Sequence, residues 1–379
     1  MKIILVQTDE ELEACLDDIS GSKTLFLDTE FMRERTYYPE FCLLQLYVGG
    51  ENVYLIDPLS KKMDISPLLE LLKNEAILKV FHAARQDLEI FFHDYNFIPS
   101  PLFDTQIAAH YLGYDDQVSF ENMVRFTSGV KLDKTQQRTD WRKRPLSQKQ
   151  ISYAARDVFY LAPIFEKIHT DLQERSRLAW IEDDIQKLTS METYQFHRDN
   201  VLKKVRNRFN DDISLSICAE LMVWREKQAM SEDLSRQRVL SDDMIVTIAT
   251  RKLKSKDDLR TLKAIKKYQI EKYGDLILET VQYGQDHAES FTLPRTVRPS
   301  ATQEKLVAMI NIYTKQASQD LDVIPRVLAS SGEIQTYAVH GTASFLSGWK
   351  YDVYGQYVEK ISHGEAMLKY HNGNITLSF

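Results

Sequence analysis

Short apolar runs dominate the first hundred residues and are typical of buried strands. Five such runs are found, at Thr24–Phe31, 41–48, 52–56, 78–81 and 102–103. Gly49 and Gly50 separate the second and third runs and predict a tight hairpin between them. The fourth and fifth runs each lead into a stretch with helical periodicity. Strands first and strand–helix alternation afterwards predict a mixed sheet flanked by helices.

Beyond these runs the apolar positions recur mainly at helical spacing to the end of the chain. A polar segment with two prolines, at 285–303, interrupts the pattern and is typical of a linker. We therefore expect an α/β domain at 1–205 and two all-α units at 210–290 and 301–379. Pattern alone does not show whether the two helical units are related.

Composition narrows the class of protein without identifying it. The 379 residues carry a net charge of −7, and residues 1–205 hold 25 Lys/Arg against 33 Asp/Glu. A protein that coats duplex DNA without sequence preference would be basic instead. No run of 18 apolar residues predicts a membrane span, and the first residues lack the features of a secretory signal. The three cysteines are far apart, which favours a reducing cytoplasm over a disulfide framework or a zinc site.

Two acids follow the first apolar run, and they are the first candidates for chemistry. Asp28 and Glu30 stand two residues apart, so on a strand their side chains point to the same face. Two carboxylates on one face of a core strand are costly unless a cation lies between them. Mg²⁺ and Mn²⁺ prefer such oxygen ligands. For an isolated Asp-x-Glu, however, a strand that has ended with both acids solvated is the more common explanation.

Two later segments add acids to this pair. Asp87 falls in the first turn of a predicted helix, where an acid also stabilises the helix dipole. Tyr153 and Asp157 are four residues apart on another predicted helix and share a face. A Tyr/Asp pair beside an apolar stripe is often no more than a buried hydrogen bond.

The combination is more informative than its parts. Four acids and a tyrosine are what a two-metal phosphodiesterase needs, because two ions about 3.5–4 Å apart clamp the attacking and leaving oxygens. Four carboxylates also balance the charge of two divalent ions. Tyrosine, with an ordinary pKa near 10, is a poor base at neutral pH and better suited to orienting a water.

Three motifs carry a family resemblance: DTEF at 28–31, HAARQDLE at 82–89 and YAARDVFYL at 153–161. They resemble the exonuclease motifs of the DEDD superfamily in its tyrosine-bearing subclass, and among its members the bacterial ribonuclease D family. VWREKQA and RVLSDDMI, at 223–229 and 238–245, resemble the HRDC-type helical domain that follows the catalytic domain in that family. The last unit resembles a second, more divergent HRDC copy. The likeness covers essentially the whole chain.

The resemblance implies a ribonuclease H-like fold and removal of nucleotides from RNA 3′ ends, releasing nucleoside 5′-monophosphates, with tRNA precursors as typical substrates. It implies two divalent ions, Mg²⁺ or Mn²⁺. Asp28, Glu30 and Asp157 would hold one ion, Asp28 would bridge to the second with Asp87, and Tyr153 would position the attacking water. No obligate protein partner is implied. A DNA-preferring exonuclease and a non-catalytic RNA-binding scaffold remain as alternatives.

Four further residues are candidates for substrate contact. Phe31 could stack on a terminal base, or simply pack in the core. His82 lies at a strand end, where a structural hydrogen bond is as reasonable as a substrate contact. Arg142 and Arg144 belong to a stretch at 131–144 with six Lys/Arg and two acids, which could follow substrate phosphates or be a solvated loop.

Two other features, an acid after a strand and a basic helical segment, also have candidate functional roles. Asp104 lies between a strand and a helix, which favours an N-cap over a fifth metal ligand. The segment 251–272 holds nine Lys/Arg and three acids, a basic face suited to the backbone of structured RNA.

Overall fold

The computed structural model describes residues 1–115, 118–205, 209, 211–288 and 298–379. The middle of the predicted linker at 285–303, residues 289–297, therefore lies outside the described residues. Its beginning is helical, since the preceding helix continues to Asp286.

A six-stranded mixed sheet forms the centre of the first domain, as the pattern predicts. Its strands are β1 (Lys2–Val6), β2 (Thr24–Met32), β3 (Glu40–Tyr47), β4 (Asn52–Ile56), β5 (Leu78–Phe81) and β6 (Leu102–Asp104). The spatial order is β1-β4-β3-β2-β5-β6. β2, β3 and β4 pair antiparallel, while β1, β5 and β6 join them in parallel. The pattern did not predict β1, a five-residue edge strand whose partner lies fifty residues away.

Helices cover both faces of this sheet. They are α1 (Asp9–Asp18), α2 (Ser66–Lys73), α3 (Arg85–Tyr95), α4 (Thr105–His110), α5 (Phe120–Ser128), α6 (Gln148–Glu174) and α7 (Glu182–Thr189). The next helix, α8 (Arg198–Val205), packs against the first helical unit. α6 is 27 residues long and packs across five of the six strands. Its buried residues include Ala154, Val158 and Leu161, which join one continuous core with the sheet. This long helix is what carries the third motif over the end of β2.

The two helical units have nearly the same skeleton. The first contains α9 (Asp212–Ser231), α10 (Arg236–Val239), α11 (Asp242–Arg251), α12 (Lys256–Arg260) and α13 (Lys267–Asp286), and the second contains α14 (Ala301–Asp320), α15 (Pro325–Leu328), α16 (Ser331–His340), α17 (Gly348–Lys350) and α18 (Gln356–Ser362). The first three helices of each unit begin and end 89 residues apart. The left-handed residues that end α11 and α16, Lys252 and Gly341, keep the same offset. An unbroken offset of this length is typical of an internal duplication.

Both units contact the first domain through the same turn. Asp233 and Asp322 are equivalent in the repeat, and both have a positive φ. The Asp233 carboxylate accepts hydrogen bonds from the backbone N–H groups of Tyr37 and Tyr38, at 2.9 and 3.0 Å. Asp322 instead pairs with Arg175, at 2.7 Å. One turn geometry has therefore been adapted to two different docking surfaces.

The two contacts differ in chemistry. Around Asp233 the contact contains a polar network, in which Arg236 bonds both Glu226 and the Tyr37 hydroxyl, and the Tyr37 ring joins the separate apolar core of that unit. The last unit instead shares an apolar core with the sheet and α6. There the rings of Trp180 and Trp349 stack with centroids 4.2 Å apart. The last unit is thus built into the first domain.

One prediction for the last unit was wrong. It is not all-α, because it ends in a hairpin of β7 (Met367–His371) and β8 (Asn374–Ser378). The backbone N–H of Ile375 donates to the Gln316 side chain on α14, at 2.7 Å. The turn at Asn372 and Gly373, with φ angles of 47° and 86°, is an Asn-Gly hairpin signal that was overlooked. None of the helices in the described part of the chain is both long and apolar enough to cross a membrane.

Candidate active site

Three carboxylates from two elements meet above the centre of the sheet. β2 presents Asp28 and Glu30 on the face that α6 covers, and α6 presents Asp157. One oxygen from each of the three carboxylates lies within 4.8 Å of the others. Glu30 and Asp157 are each only 9% exposed. Residues that are 129 positions apart in sequence therefore form one acidic cluster.

Asp87 lies beside this cluster, on the first turn of α3. Its carboxylate accepts a hydrogen bond from the Thr29 hydroxyl, and Thr29 stands between Asp28 and Glu30 on β2. Asp87 is not one of the three residues whose oxygens converge. Its negative charge is nevertheless close enough to raise the pKa of Asp28 and of Glu30. The fourth predicted acid is therefore at the edge of the site.

Asp104 holds the turn that places Asp87. Its carboxylate accepts from the backbone N–H groups of Gln106 and Ile107, at 2.8 and 3.1 Å, as an N-cap of α4. It also accepts from the N–H groups of Ala83 and Ala84, at 3.1 and 2.8 Å, just before α3 begins. The N-cap prediction for Asp104 is confirmed. One buried acid thus fixes the starts of two helices.

Burial and mutual repulsion both disfavour ionisation of the cluster. Burial raises the pKa of Asp28 and of Glu30 well above their usual range, and the neighbouring carboxylates add to the effect. Burial also raises the pKa of Asp157 to about 8, against the opposing hydrogen bond from Tyr153. For Asp87 burial raises the pKa to about 7, although the Thr29 hydroxyl lowers it. Four acids in such a state gain stability from any nearby cation.

Tyr153 completes the group. Burial raises the pKa of its phenol, and the charges of Asp157, Glu30 and Asp28 raise it further. The hydroxyl therefore stays protonated at neutral pH and can donate a hydrogen bond. The Tyr153 ring packs against Trp141, with the ring centroids 6.2 Å apart.

The chemistry of the donors matches a hard divalent cation. Carboxylate oxygens supply the whole three-residue cluster, as Mg²⁺ and Mn²⁺ require, and no histidine or cysteine joins it. A further polar group lies beside it. Gln45 on β3 is paired in register with Asp28 and is completely buried. Neither polar atom of its side chain has a hydrogen-bond partner among the described residues. The residues present therefore fit a metal-binding group.

Two cavities meet at Tyr153 and Asp157. One, of about 430 Å³, is lined by Asp28, His82 and Phe120 among others. The other, of about 310 Å³, runs along the outer face of α6 past Lys149 and Arg156. Both cavities therefore reach the acidic cluster, at Asp157 in each case and also at Asp28 in the larger one.

The structure gives two of the predicted substrate contacts partners within the protein. Phe31 packs at the edge of the core beneath the sheet. His82 has Thr105 Oγ1 at 2.9 Å from Nδ1 and the carbonyl oxygen of Val118 at 3.1 Å from Nε2. The ring of His82 still lines the larger cavity. Its two ring nitrogens are not available to a substrate in this conformation.

The two arginines predicted to contact phosphates are also engaged. Arg142 forms a bidentate pair with Asp140, at 2.8 and 3.1 Å. Arg144 makes five hydrogen bonds, to the Asp57 carboxylate and to three backbone carbonyls. All five N–H groups of a guanidinium are then used. Arg144 therefore has no donor left for a phosphate.

Sequence analysis missed Lys149 and Arg156. Both are exposed and line the smaller cavity. No ion pair involves either side chain among the residues that the structure describes. They lie four residues before and three residues after Tyr153, so helical spacing alone places them on the same face of α6 as Tyr153. Local charge density favours the loop at 131–144 instead, because six of its fourteen residues are basic.

The basic segment of the first helical unit is partly neutralised. Five of its nine Lys/Arg form ion pairs: Lys252–Asp211, Lys256–Asp275, Arg260–Asp257, Lys267–Glu271 and Lys272–Glu232. The others, Arg251, Lys254, Lys263 and Lys266, are exposed and form no ion pair with another described residue. The face is therefore less basic than the sequence count suggests.

Comparisons with known proteins agree with this architecture. Residues 3–173 match the 3′-5′ exonuclease family, and residues 214–281 match the HRDC domain family. The chain is 33% identical to a ribonuclease D of Nitrobacter hamburgensis, over 98% of each chain. It is 32% identical to a ribonuclease D of Bartonella henselae, over 99% of this chain and 93% of that protein.

A solved structure is similar over nearly the same length. The crystal structure of Escherichia coli RNase D, described as an exoribonuclease involved in structured RNA processing, superposes with a TM-score of 0.81 at 28% identity. The match covers 96% of this chain and 99% of the other. The similarity therefore includes the helical units as well as the sheet.

Proposed function

Because the chain belongs to the ribonuclease D family and is a 3′-5′ exoribonuclease, we propose that it trims 3′-extended tRNA precursors by two-metal hydrolysis. An attacking water would form a bond to the phosphorus of the last nucleotide. The P–O3′ bond to the preceding nucleotide would break. The products would be a nucleoside 5′-monophosphate and an RNA one nucleotide shorter.

Members of this family generally depend on divalent metal ions, and we propose two, Mg²⁺ or Mn²⁺. Asp28, Glu30 and Asp157 would hold one, and Asp28 with Asp87 the other. Such ions would lower the pKa of the attacking water and offset the charge that develops on the phosphate. The Tyr153 hydroxyl would orient that water by a hydrogen bond, because it stays protonated.

Lys149 and Arg156 are the basic residues that we propose for contact with the RNA backbone near the site. They are exposed, and they line the cavity that adjoins Tyr153 and Asp157. Contacts to phosphate position a strand without reading its sequence, as a trimming enzyme requires. In the first helical unit, Lys254, Lys263 and Lys266 would extend the same kind of contact to the body of a structured RNA.

We also propose the division into an exonuclease domain at 1–205 and HRDC-type units at 210–290 and 301–379. The 89-residue offset between the two helical units supports a divergent second copy. A cytoplasmic location remains a prediction, supported by three cysteines that are all buried and form no disulfide. No obligate protein partner is proposed.

The observation that carries this proposal is the convergence of Asp28, Glu30 and Asp157 beside Tyr153. The test is incubation of a 3′-extended tRNA with purified protein, with and without Mg²⁺ and with products resolved nucleotide by nucleotide. A ladder that shortens from the 3′ end, requires the metal and releases 5′-monophosphates is expected. Release of oligonucleotides or metal-independent cleavage would contradict the mechanism.

A matched DNA oligonucleotide with the same sequence provides the second arm. Faster digestion of DNA would favour the DNA-preferring alternative for the same site. Binding of both nucleic acids without turnover, in the presence of Mg²⁺ or Mn²⁺, would favour a non-catalytic scaffold. Asp28→Asn serves as the inactive control in each arm, because it removes the residue shared by both ion sites.

A further inference from the structure

Arg144 lies outside the acidic cluster, yet its guanidinium joins three elements that shape the cluster. Nε and Nη2 donate to the two oxygens of Asp57, both at 2.6 Å. Nη2 also donates to the carbonyl oxygen of Cys42 at 2.7 Å. Nη1 donates to the carbonyl oxygens of Trp141 and Lys143, at 2.6 and 3.0 Å. One side chain thus ties the end of β4, the strand β3 and the loop before α6 together.

The carbonyl of Cys42 belongs to a β-bulge beside a proposed metal ligand. Glu30 pairs with Leu43 and Phe31 pairs with Phe41, so Cys42 is the extra residue between them. A bulged residue is unpaired in the ladder, and a bulge changes the direction of neighbouring side chains. The bond from Arg144 supplies the missing partner for this carbonyl. It therefore holds the strand at the step where Glu30 leaves the regular register.

The carbonyl of Trp141 connects the same guanidinium to Tyr153. Trp141 is 1% exposed, and its ring packs against the Tyr153 ring with centroids 6.2 Å apart. Its indole N–H has no partner among the described residues, so hydrogen bonding does not fix the ring. The position of the ring depends on the backbone of the loop, which the Arg144 bond to Trp141 holds.

Asp57 makes this arrangement rigid. Its side chain is only 2% exposed, and it also accepts from Gln7 and from the backbone N–H of Leu59, at 2.9 and 3.1 Å. A planar guanidinium bound at two oxygens cannot rotate without breaking both bonds. Lysine could replace the charge but not the five directed donors.

We propose that Arg144 is a positioning residue that sets Glu30 and Tyr153 relative to each other, and that it does not contact the RNA. This inference rests on the proposed roles of Glu30 and Tyr153. Substituting Arg144 should reduce the chemical step while leaving substrate binding nearly unchanged. A phosphate contact would have the opposite effect.

The test compares Arg144→Gln with Lys143→Gln, which removes the same charge one residue away and leaves every bond of the guanidinium intact. We expect kcat for a short single-stranded RNA to fall about 10–100-fold in Arg144→Gln, the usual range for residues that orient metal ligands. KM should stay within about twofold. Lys143→Gln should match the wild type. In Arg144→Ala, millimolar guanidinium should restore part of kcat, whereas Arg144→Lys should remain impaired.

Two measurements separate this proposal from the function on which it rests. The apparent affinity for Mn²⁺, from thermal shift without RNA, should weaken in Arg144→Gln. The near-ultraviolet circular dichroism of Trp141, obtained by subtracting the spectrum of Trp141→Phe, should also change. Both readouts remain valid even if Tyr153→Phe or Glu30→Gln proves active, a result that would refute the proposed function alone.

Three outcomes would overturn the proposal. The first is a kcat of Arg144→Gln equal to that of Lys143→Gln. The second is a rise in the KM of Arg144→Gln with kcat unchanged, which would make Arg144 a substrate contact. The third is an unchanged Trp141 spectrum. If Arg144→Gln does not fold, Asp57→Asn decides instead, because it keeps the arginine and weakens only its anchor. A wild-type kcat in a folded Asp57→Asn would equally refute the positioning role.

Discussion

Two groups of buried carboxylates in the same domain are treated in opposite ways. The Asp57 carboxylate finds its partners within the protein, because it pairs with Arg144 and also accepts a hydrogen bond from Gln7. These interactions lower its pKa, although burial opposes the change. The acids of the candidate site have no such cation among the described residues, and burial with mutual repulsion raises the pKa of Asp28 and Glu30. The first arrangement stabilises the fold without any ligand. The second destabilises the fold until its charge is compensated by bound cations or by protons.

The difference indicates how to distinguish a structural acid from a functional one in this protein. Burial is similar, so burial alone does not separate them. The distinguishing feature is whether the chain itself supplies the opposing charge. Substitutions in one of these two arrangements should therefore affect activity and stability differently from substitutions in the other.

Removal of Asp28, which we propose belongs to both ion sites, should have the largest effect. Asp28→Asn should reduce RNA turnover by more than about a thousandfold, because members of a catalytic unit fail together. The melting temperature of the metal-free variant should equal or exceed that of the wild type, since one repelling charge is gone. Turnover is measured on a short RNA in Mg²⁺. A wild-type rate would disprove the metal assignment.

The next effect in size concerns the tyrosine. Tyr153→Phe should slow hydrolysis about a hundredfold, within the range that positioned proton donors and acceptors contribute. It removes only the hydroxyl, so the apparent affinity for Mn²⁺, measured by thermal shift, should be retained. An unchanged rate would assign Tyr153 to packing against Trp141.

Divalent ions should stabilise the protein through the acidic cluster. At one hundred times the dissociation constant, binding contributes about 2.7 kcal/mol, which corresponds to a rise in Tm of roughly 5–10 °C for a domain of this size. The variant with Asp28, Glu30, Asp87 and Asp157 all replaced by their amides should show no rise. Asp57→Asn should lower the metal-free Tm and should show a smaller metal-dependent rise than the wild type, because it loosens the Arg144 guanidinium that holds the strand beside Glu30.

The pH dependence of stability should have opposite signs for the two groups. Asp87 and Asp157 have pKa values of about 7 and about 8 in the folded protein, whereas the ordinary pKa of Asp is near 3.9. Above that ordinary pKa they therefore bind more protons in the folded state than in the unfolded state. Their contribution to stability is complete below that value and is lost as the pH rises through 7 and 8. Asp57, with a lowered pKa, contributes above that value and loses its contribution only in acid. The Tm in chelator should thus fall from pH 5 to pH 8, and the four-amide variant should lack this fall.

The smallest effect concerns Gln45, a polar group that is buried without a partner in the described structure. Gln45→Met keeps its size and removes the unsatisfied amide, which typically costs about 1–3 kcal/mol. The metal-free Tm should therefore rise by a few degrees, as measured by calorimetry. Gln45→Glu provides the contrast, because it adds a charge beside Asp28 and should lower the Tm. A lower Tm for Gln45→Met would mean that the amide has a partner after all.

Periodicity sufficed for the mixed sheet, for most helices of the first domain and for the Asp104 cap. Each of these depends on residues that are close in sequence. β1 and the terminal hairpin were missed, because most of their apolar positions are only partly buried or are exposed. The pattern of apolar positions also did not reveal the relation between the helical units, because their backbones match while their surfaces have diverged.

The sequence by itself determined which residue types are available for catalysis and on which face of β2 and α6 they lie, since helices and strands have fixed periods. It also determined the family, because the three motifs are short contiguous segments of the sequence. Only the tertiary structure decided the partners of each charge. Arg144 and Lys149 are both basic residues near the third motif, yet Arg144 pairs with Asp57 whereas Lys149 lines the cavity. The physical reason is that an ion pair depends on a distance of a few ångströms between residues 87 positions apart, and local patterns contain no information about such distances.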